Sequence, residues 1–502
     1  MAVYIQPQID LHSAGTSRPF EPPKSENMMR SGPKPLSTMI SAAMVLCCVT
    51  TAFAQAPASE PLTIATAVEL ALRNHPALRE ASAGAAAAQE DVSVARTAYL
   101  PRLDLLWQAN RSTRNNVFGL LLPQSIIPPV SGPVLSGSEQ PSVWSAAGGL
   151  LLSWEAFDFG RRGASIAVAR AESAAADAER KLVELQIATR AADAFLAVAA
   201  ADAALQATRA NVQRLETFAG TVRALVQSQL RAGAEQSRAD AELSAARNRA
   251  IEAERNAQLA RLTLAEAIGS PGTIVAIVSP ELSGVPPRAD TAAFDAASHP
   301  QAAVANARVT VAEERDHLIE RSIWPRVEFQ TALSGRGVSR DVNGLPSSTS
   351  FGFEVPNWAV GLQVTFPSME VFRAQPRQRA EAERANQARA RYERTVQALQ
   401  SDDARARTII NAAYAIAANT PQQLQAAREG DAQARARYSA GLTNILEVAE
   451  GQRLLAEAEA ESAVAALSVW RALLADAALR GDLQSFLNQT RALQKPADHP
   501  EE

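Results

Sequence analysis

Two groups of acids and one repeated histidine are the residues here whose types and spacing could do chemistry. Glu447 and Glu450 lie six and nine positions after Gly441, and Tyr438 lies three before it. Asp240 and Glu242 follow Gly233 in a similar way. Neighbouring carboxylates can share a proton, attract a cation or repel one another. At the start of a helix they also complement its dipole. Asn444 followed by Glu447 is an N-capping pattern, so Glu447 has a structural use as well. His75 and His299 each precede a proline, 224 positions apart (299 − 75), which reads as one turn used twice rather than a metal pair. No H-E-x-x-H, P-loop or G-x-S-x-G pattern accompanies these residues, so neither an enzyme nor a bound cofactor or metal is expected.

The elements that must position these groups form a duplicated plan. An Ala-rich helical pattern reaches Tyr99-Leu100, stops at Pro101, and passes into alternating residues Leu103, Leu105 and Trp107. The same junction recurs at Ile323-Trp324-Pro325, again 224 positions on (325 − 101). The first unit, 60–269, is expected to hold strands at about 103–111 and 143–154, and a helical hairpin with its tip at about 231–237. A connector, 270–290, leads to the second unit, 291–481, with strands at about 327–334 and 357–366 and a tip at about 438–444. Gly233 and Gly441 read as the left-handed residues ending the first helix of each hairpin. Ser237 and Asp240 read as the capping box of the helix that follows. From Phe157-Asp158-Phe159-Gly160-Arg161-Arg162 to about Leu230 there is no proline. Roughly 70 helical residues would reach about 100 Å, too long for a globular core and suited to coiled-coil packing. Residues 482–502 read as a flexible tail.

Composition narrows the setting. The net charge of −4 offers no basic surface for nucleic acid. Residues 1–54 read as a secretory signal: Arg30 and Lys34 precede the apolar run Thr38–Val49, and Ala52-Phe53-Ala54 forms a cleavage site. Residues 1–27 sit oddly ahead of it, so Met28 or Met29 is a candidate start. Cys47 and Cys48, the only cysteines, lie inside that signal. Leu46 before Cys47 departs from a lipoprotein signal, and the processed chain would hold no disulfide. No other run approaches the 18 apolar residues of a spanning helix. Four ten-residue strands could cross a bilayer tilted, but cannot close a barrel alone. Open edges are not tolerated in lipid, so membrane strands would have to be pooled between copies. The competing reading is a small soluble sheet on a periplasmic coiled-coil binding protein or adaptor.

With these residues in view, the chain resembles the TolC-like outer-membrane efflux proteins. The resemblance rests on the duplicated helix–strand–strand–helix–helix order, the Phe-Asp-Phe-Gly-Arg-Arg element, and Tyr438-Ser-Ala-Gly441 followed by Ile445-Leu446-Glu447-Val448. It covers roughly residues 60–480. It implies a mainly α fold carrying a transmembrane β-barrel: a homotrimer in which each chain lends four strands to one twelve-stranded barrel above a long periplasmic α-barrel. It also implies a periplasmic adaptor and an inner-membrane pump as partners. Glu447, Glu450 and Tyr438 would belong to the periplasmic aperture, with Asp240 and Glu242 as first-hairpin candidates. The family's arginine two residues past the second turn glycine is Thr443 here, and the acid six past the first is Ala239. Arg238 and Arg453 are the candidate substitutes for that arginine.

Overall fold

The computed structural model describes residues 62–113, 142–279, 282, 284–288, 293–338 and 352–494. The expected signal, the strand-linking loops beyond Thr113 and Val338, and residues 495–502 lie outside this set.

The first repeat opens with the short helix α1 (Ile64–Asn74), then α2 (Pro76–Thr97), strands β1 (Arg102–Thr113) and β2 (Ser142–Phe157), and helices α3 (Arg161–Gln227) and α4 (Gly233–Ala267). The second contains α5 (Pro300–Ser322), β3 (Arg326–Val338), β4 (Val355–Thr365), α6 (Glu370–Ser439) and α7 (Ile445–Leu479). Each histidine–proline pair starts a helix in the same way. His75 Nδ1 accepts the Ala77 N–H at 3.2 Å, and His299 Nδ1 accepts the Gln301 N–H at 3.1 Å. Proline at the first helical position lacks a donor that would otherwise be orphaned. Pro101 and Pro325 stand at the two helix-to-strand junctions.

The four strands form one antiparallel sheet in the order β1-β2-β3-β4. Its register aligns Leu105, Leu150, Leu333 and Trp358 in one row across the sheet. The next row on that face is Leu103, Leu152, Thr331 and Val360. Leu105 is 78% exposed and Trp358 77%. The opposite face carries Asp104, Gln108, Glu328, Gln330 and Gln363. Strands of 11 to 16 residues are long enough to cross a tilted bilayer. Within the chain, the outer edges of β1 and β4 have no strand partner among the described residues.

Below the sheet, Asp158 and Arg162 tie the two junctions of the first repeat together. Asp158 Oδ2 accepts the Arg162 backbone N–H at 2.6 Å and its Nε–H at 3.0 Å. Arg162 also donates to the Ala98 carbonyl at 3.2 Å and lies 4.5 Å over the Tyr99 ring. Burial raises the Asp158 pKa, but its hydrogen bonds and the Arg162 charge win, and the net shift is downward.

The main core sits where α1 packs on α3, with Phe195, Leu196, Val198, Leu264 and Trp470 buried together. The connector is strapped to this core: Leu62 bridges Ile277, and Trp470 Nε1 donates to the Gly284 carbonyl at 3.1 Å. Two expectations need correction here. The tail expected at 482–502 begins instead with a helix, α8 (Gln484–Gln494). Leu483, Phe486, Leu487 and Thr490 recur at helical spacing and are buried, with Phe486 edge-on to Trp470. The second half of α7 does contain a stretch apolar enough to cross a membrane. Its hydrophobicity is spent on the core, where Trp470 and Leu474 are buried, while Arg471 pairs with Asp193 at 2.8 Å.

Candidate functional site

Each long helix pair turns through the same backbone device at its far end. At the second tip, Gly441 has φ +74°. Its N–H donates to the Tyr438 carbonyl, and the Leu442 N–H donates to the Arg437 carbonyl at 2.9 Å. This is a Schellman closure with glycine in the left-handed position. Asn444 then caps α7, its Oδ1 accepting the Leu446 N–H at 3.0 Å and the Glu447 N–H at 3.4 Å.

At the first tip the left-handed residue is Gln229, with φ +61°, and not Gly233. The Gln229 N–H donates to Val226 and the Leu230 N–H to Leu225, both at 2.9 Å. Gly233 is the first residue of α4, which starts from Ala232 without a side-chain cap. The expected capping box at Ser237 and Asp240 is likewise corrected, because both residues lie inside α4. At the left-handed residues themselves, and again at the helix starts four residues on, the two tips correspond at an offset of 212 (441 − 229; 445 − 233).

That register identifies two residues that the sequence reading missed. Glu235 corresponds to Glu447, and Arg231 corresponds to Thr443. Both contact the buried Tyr438. The Tyr438 hydroxyl donates to Glu235 Oε2 at 2.6 Å. Arg231 donates to the Tyr438 carbonyl at 2.7 Å, and its guanidinium lies 4.5 Å over the phenol ring. Arg231 also reaches Glu235 at 3.9 Å. The ring of Phe218 on α3 closes the other side, 5.7 Å away. Burial, then the neighbouring Glu235 carboxylate, push the Tyr438 phenol up to about 12. One aromatic residue thus links the end of α6 to both the tip and the second helix of the first hairpin. Around it, Leu215, Val222, Leu243, Ile445 and Val448 form a separate apolar cluster.

The remaining candidates are held apart from this cluster. Glu447 pairs with Arg437 at 3.2 Å and accepts from the Thr443 hydroxyl. Glu450 takes two hydrogen bonds from Arg453, at 2.6 and 3.1 Å, which hold its carboxyl below the usual range. Arg453 is therefore committed to Glu450 and Glu457. Asp240 pairs with Arg223 at 2.9 Å, and Glu242, two residues on along α4, is half-buried. Ala239 is buried. The arrangement is a set of ion pairs and one buried hydrogen bond at the ends of long rods, able to fasten helices and to set local charge.

The sequence matches the model of the outer membrane efflux protein family over residues 67–270 and 295–481. Similar solved structures include CusC, reported for conformational changes accompanying folding and transmembrane channel formation. It is 16% identical with a TM-score of 0.70, over 84% of this chain and 92% of that one. The outer membrane protein VceC from Vibrio cholerae is 20% identical with a TM-score of 0.66, over 84% and 96%. The MtrE outer membrane channel of Neisseria gonorrhoeae, in its open state, is 19% identical with a TM-score of 0.64, over 84% and 89%. No curated protein sequence matches significantly. The adaptor reading finds no support in these matches. The chain belongs to the outer membrane efflux protein family, and it is an outer-membrane efflux duct with a long periplasmic helical extension.

Proposed function

We propose that three copies of this chain pool their sheets into one twelve-stranded barrel, and that the helices below form a tunnel ending at the hairpin tips. The observation that carries this is the sheet itself: among the described residues, four strands with one apolar face and two outer edges without a strand partner. Lipid does not tolerate such edges, and four strands cannot close on themselves. A β1–β4 junction between copies satisfies both edges at once, in a closed ring. An inner-membrane pump and a periplasmic adaptor would meet the tips, and the duct itself would carry out no reaction.

In this reading Tyr438, Arg231 and Glu235 fasten the two hairpins of one chain and hold the periplasmic aperture narrow. Glu447, Glu450 and Asp240, each tempered by an arginine partner, would contribute acidic charge near it, and Glu242 would add to it. The test uses detergent-purified protein. Native mass measurement is expected to give a trimer, and a monomeric particle would end the proposal. In planar bilayers, Tyr438→Phe combined with Arg231→Ala is expected to raise single-channel conductance several-fold. An unchanged conductance would remove the fastening role while leaving the trimer intact.

A further inference from the structure

The imidazole of His299 does more than start α5. Its Nδ1 accepts the Gln301 N–H at 3.1 Å. That places the ring proton on Nε2, which faces the Ala478 carbonyl at 3.3 Å, in the last turn of α7. A neutral imidazole offers one donor and one acceptor, and both are in use. Gly481, with φ +75°, closes α7 hard against the same turn, where a Cβ would lie 2.7 Å from Pro300 Cδ. The end of α7 and the start of α5 thus abut through a ring that is 6% exposed.

The charged groups around this joint are already engaged. Arg190 and Asp193 of α3 and Arg471 of α7 line a cavity together with His299 and Gln301. Arg190 pairs with Glu266 at 3.0 Å, and Asp193 with Arg471 at 2.8 Å. On either side of Ala478, Asp476 holds Arg480 at 2.8 Å, and Arg480 reaches Asp403 of α6 at 3.9 Å. Asp295 accepts the Ala297 N–H, and Asp482 accepts the Gln484 N–H. The first charged residue of α5 is Arg308, which pairs with Glu179. Among the described residues, no carboxylate pairs with the His299 ring. Burial holds its pKa below the ordinary 6.5, against the pull of the Ala478 carbonyl.

A second ring proton would put an N–H on Nδ1, pointing at the Gln301 N–H. Donor would face donor, α5 would lose its cap, and an unpaired charge would be buried. An asparagine at this position would cap the helix without that sensitivity. His75 caps α2 in the same way but is half-buried, and among the described residues its Nε2 has no partner.

We propose that His299 is an acid-sensitive latch between α7 and α5: one proton uncaps α5 and frees it from the end of α7. α7 leads down to the second hairpin tip, and α5 leads up to Pro325 and β3. Acidification therefore loosens the path from tip to sheet in the second repeat. The latch lies within one chain and does not depend on the ring assembly above. Its stabilising contribution is complete above 6.5 and is lost as pH falls below that, through the depressed folded value.

The test uses the full chain in detergent and two mass-spectrometric readings over a series from about pH 7.5 to about pH 4.5. One is backbone amide exchange across residues 301–305, corrected for the intrinsic rate at each pH. The other is the slow exchange of the imidazole carbon-2 proton, which reports the titration of His299 itself. Amide protection is expected to fall about fivefold or more, the equivalent of a lost cap. Its midpoint is expected to lie below 6.5 and to coincide with the ring titration. His299→Asn, which keeps a capping acceptor, is expected to hold its protection across the series. Protection that survives while the ring titrates overturns the latch, and so does a ring that stays neutral throughout. The same acid loss in His299→Asn also overturns it. If that variant fails to fold, the parent's two midpoints decide, and a separation of more than about one pH unit overturns the proposal.

Discussion

The two hairpin tips reach one backbone geometry through different chemistry. The second uses glycine in the left-handed position and an asparagine cap. The first uses Gln229 in that position and starts α4 from uncapped Ala232. A non-glycine residue there costs about 1–2 kcal/mol. A missing cap costs about 1 kcal/mol more. The first tip nevertheless supplies both side chains that grip the second, Arg231 and Glu235. The lesson is a division of labour: the locally sound tip is the one held, and the locally weak tip does the holding. Tertiary contacts, rather than turn propensity, keep the first tip in shape.

The largest expected effect comes from forcing a β-branched residue into the second tip. Gly441→Val should cost about 1–3 kcal/mol and lower the thermal midpoint of the purified channel, with faster proteolysis near residue 441. A midpoint equal to the parent's would contradict the left-handed closure. Next, Asn444→Ala should lose about 1 kcal/mol, whereas Ala232→Asn at the uncapped tip should gain about 0.5–1 kcal/mol. Equal and small responses at both sites would erase the contrast in capping.

A third test is Gln229→Gly. Relief of the left-handed strain outweighs the entropy of a freer unfolded chain, so a net gain of up to about 1 kcal/mol is expected. A loss of stability would mean that the glutamine side chain earns its place by contacts. The pH response addresses the grip itself. The folded Tyr438 phenol titrates at about 12, above its ordinary 10. Its stabilising contribution is therefore complete below pH 10 and is lost as pH rises through about 12. Tyr438→Phe should flatten that alkaline loss in thermal scans, and an identical profile in the variant would rule out the phenol as its source. The smallest effect is reserved for Glu447→Ala with Glu450→Ala. Both acids are already paired with arginines, so cation selectivity in bilayers should fall only modestly. A reversal to anion selectivity would show that the pairs do not neutralise them.

Much of the architecture was legible because its signals are periodic. Period-two apolar runs marked the strands, and the helix-stopping prolines at 101 and 325 marked the junctions. The buried helix at Gln484–Gln494 carried a readable stripe, Leu483, Phe486, Leu487 and Thr490, that the polar residues around it masked. The first tip was misread for a physical reason. Glycine is the usual left-handed residue, so Gly233 drew the turn four residues too far along. Counted from Gln229, an arginine falls two residues on and an acid six residues on, at Arg231 and Glu235. Nothing local in the sequence reveals that a glutamine accepts positive φ there, because the contacts that fasten this tip run from Arg231 and Glu235 to Tyr438, 207 and 203 residues away.

The unpartnered margins of the sheet have a consequence for how the duct is made. A newly exported chain that completed its ribbon alone would offer two adhesive borders and a greasy face to every similar molecule nearby. Fibrous clumping would then compete with correct delivery. In the ring proposed above, the ribbon's borders are covered only when copies meet, so that ring requires ribbon formation to wait for the meeting or the segments to be shielded on the way.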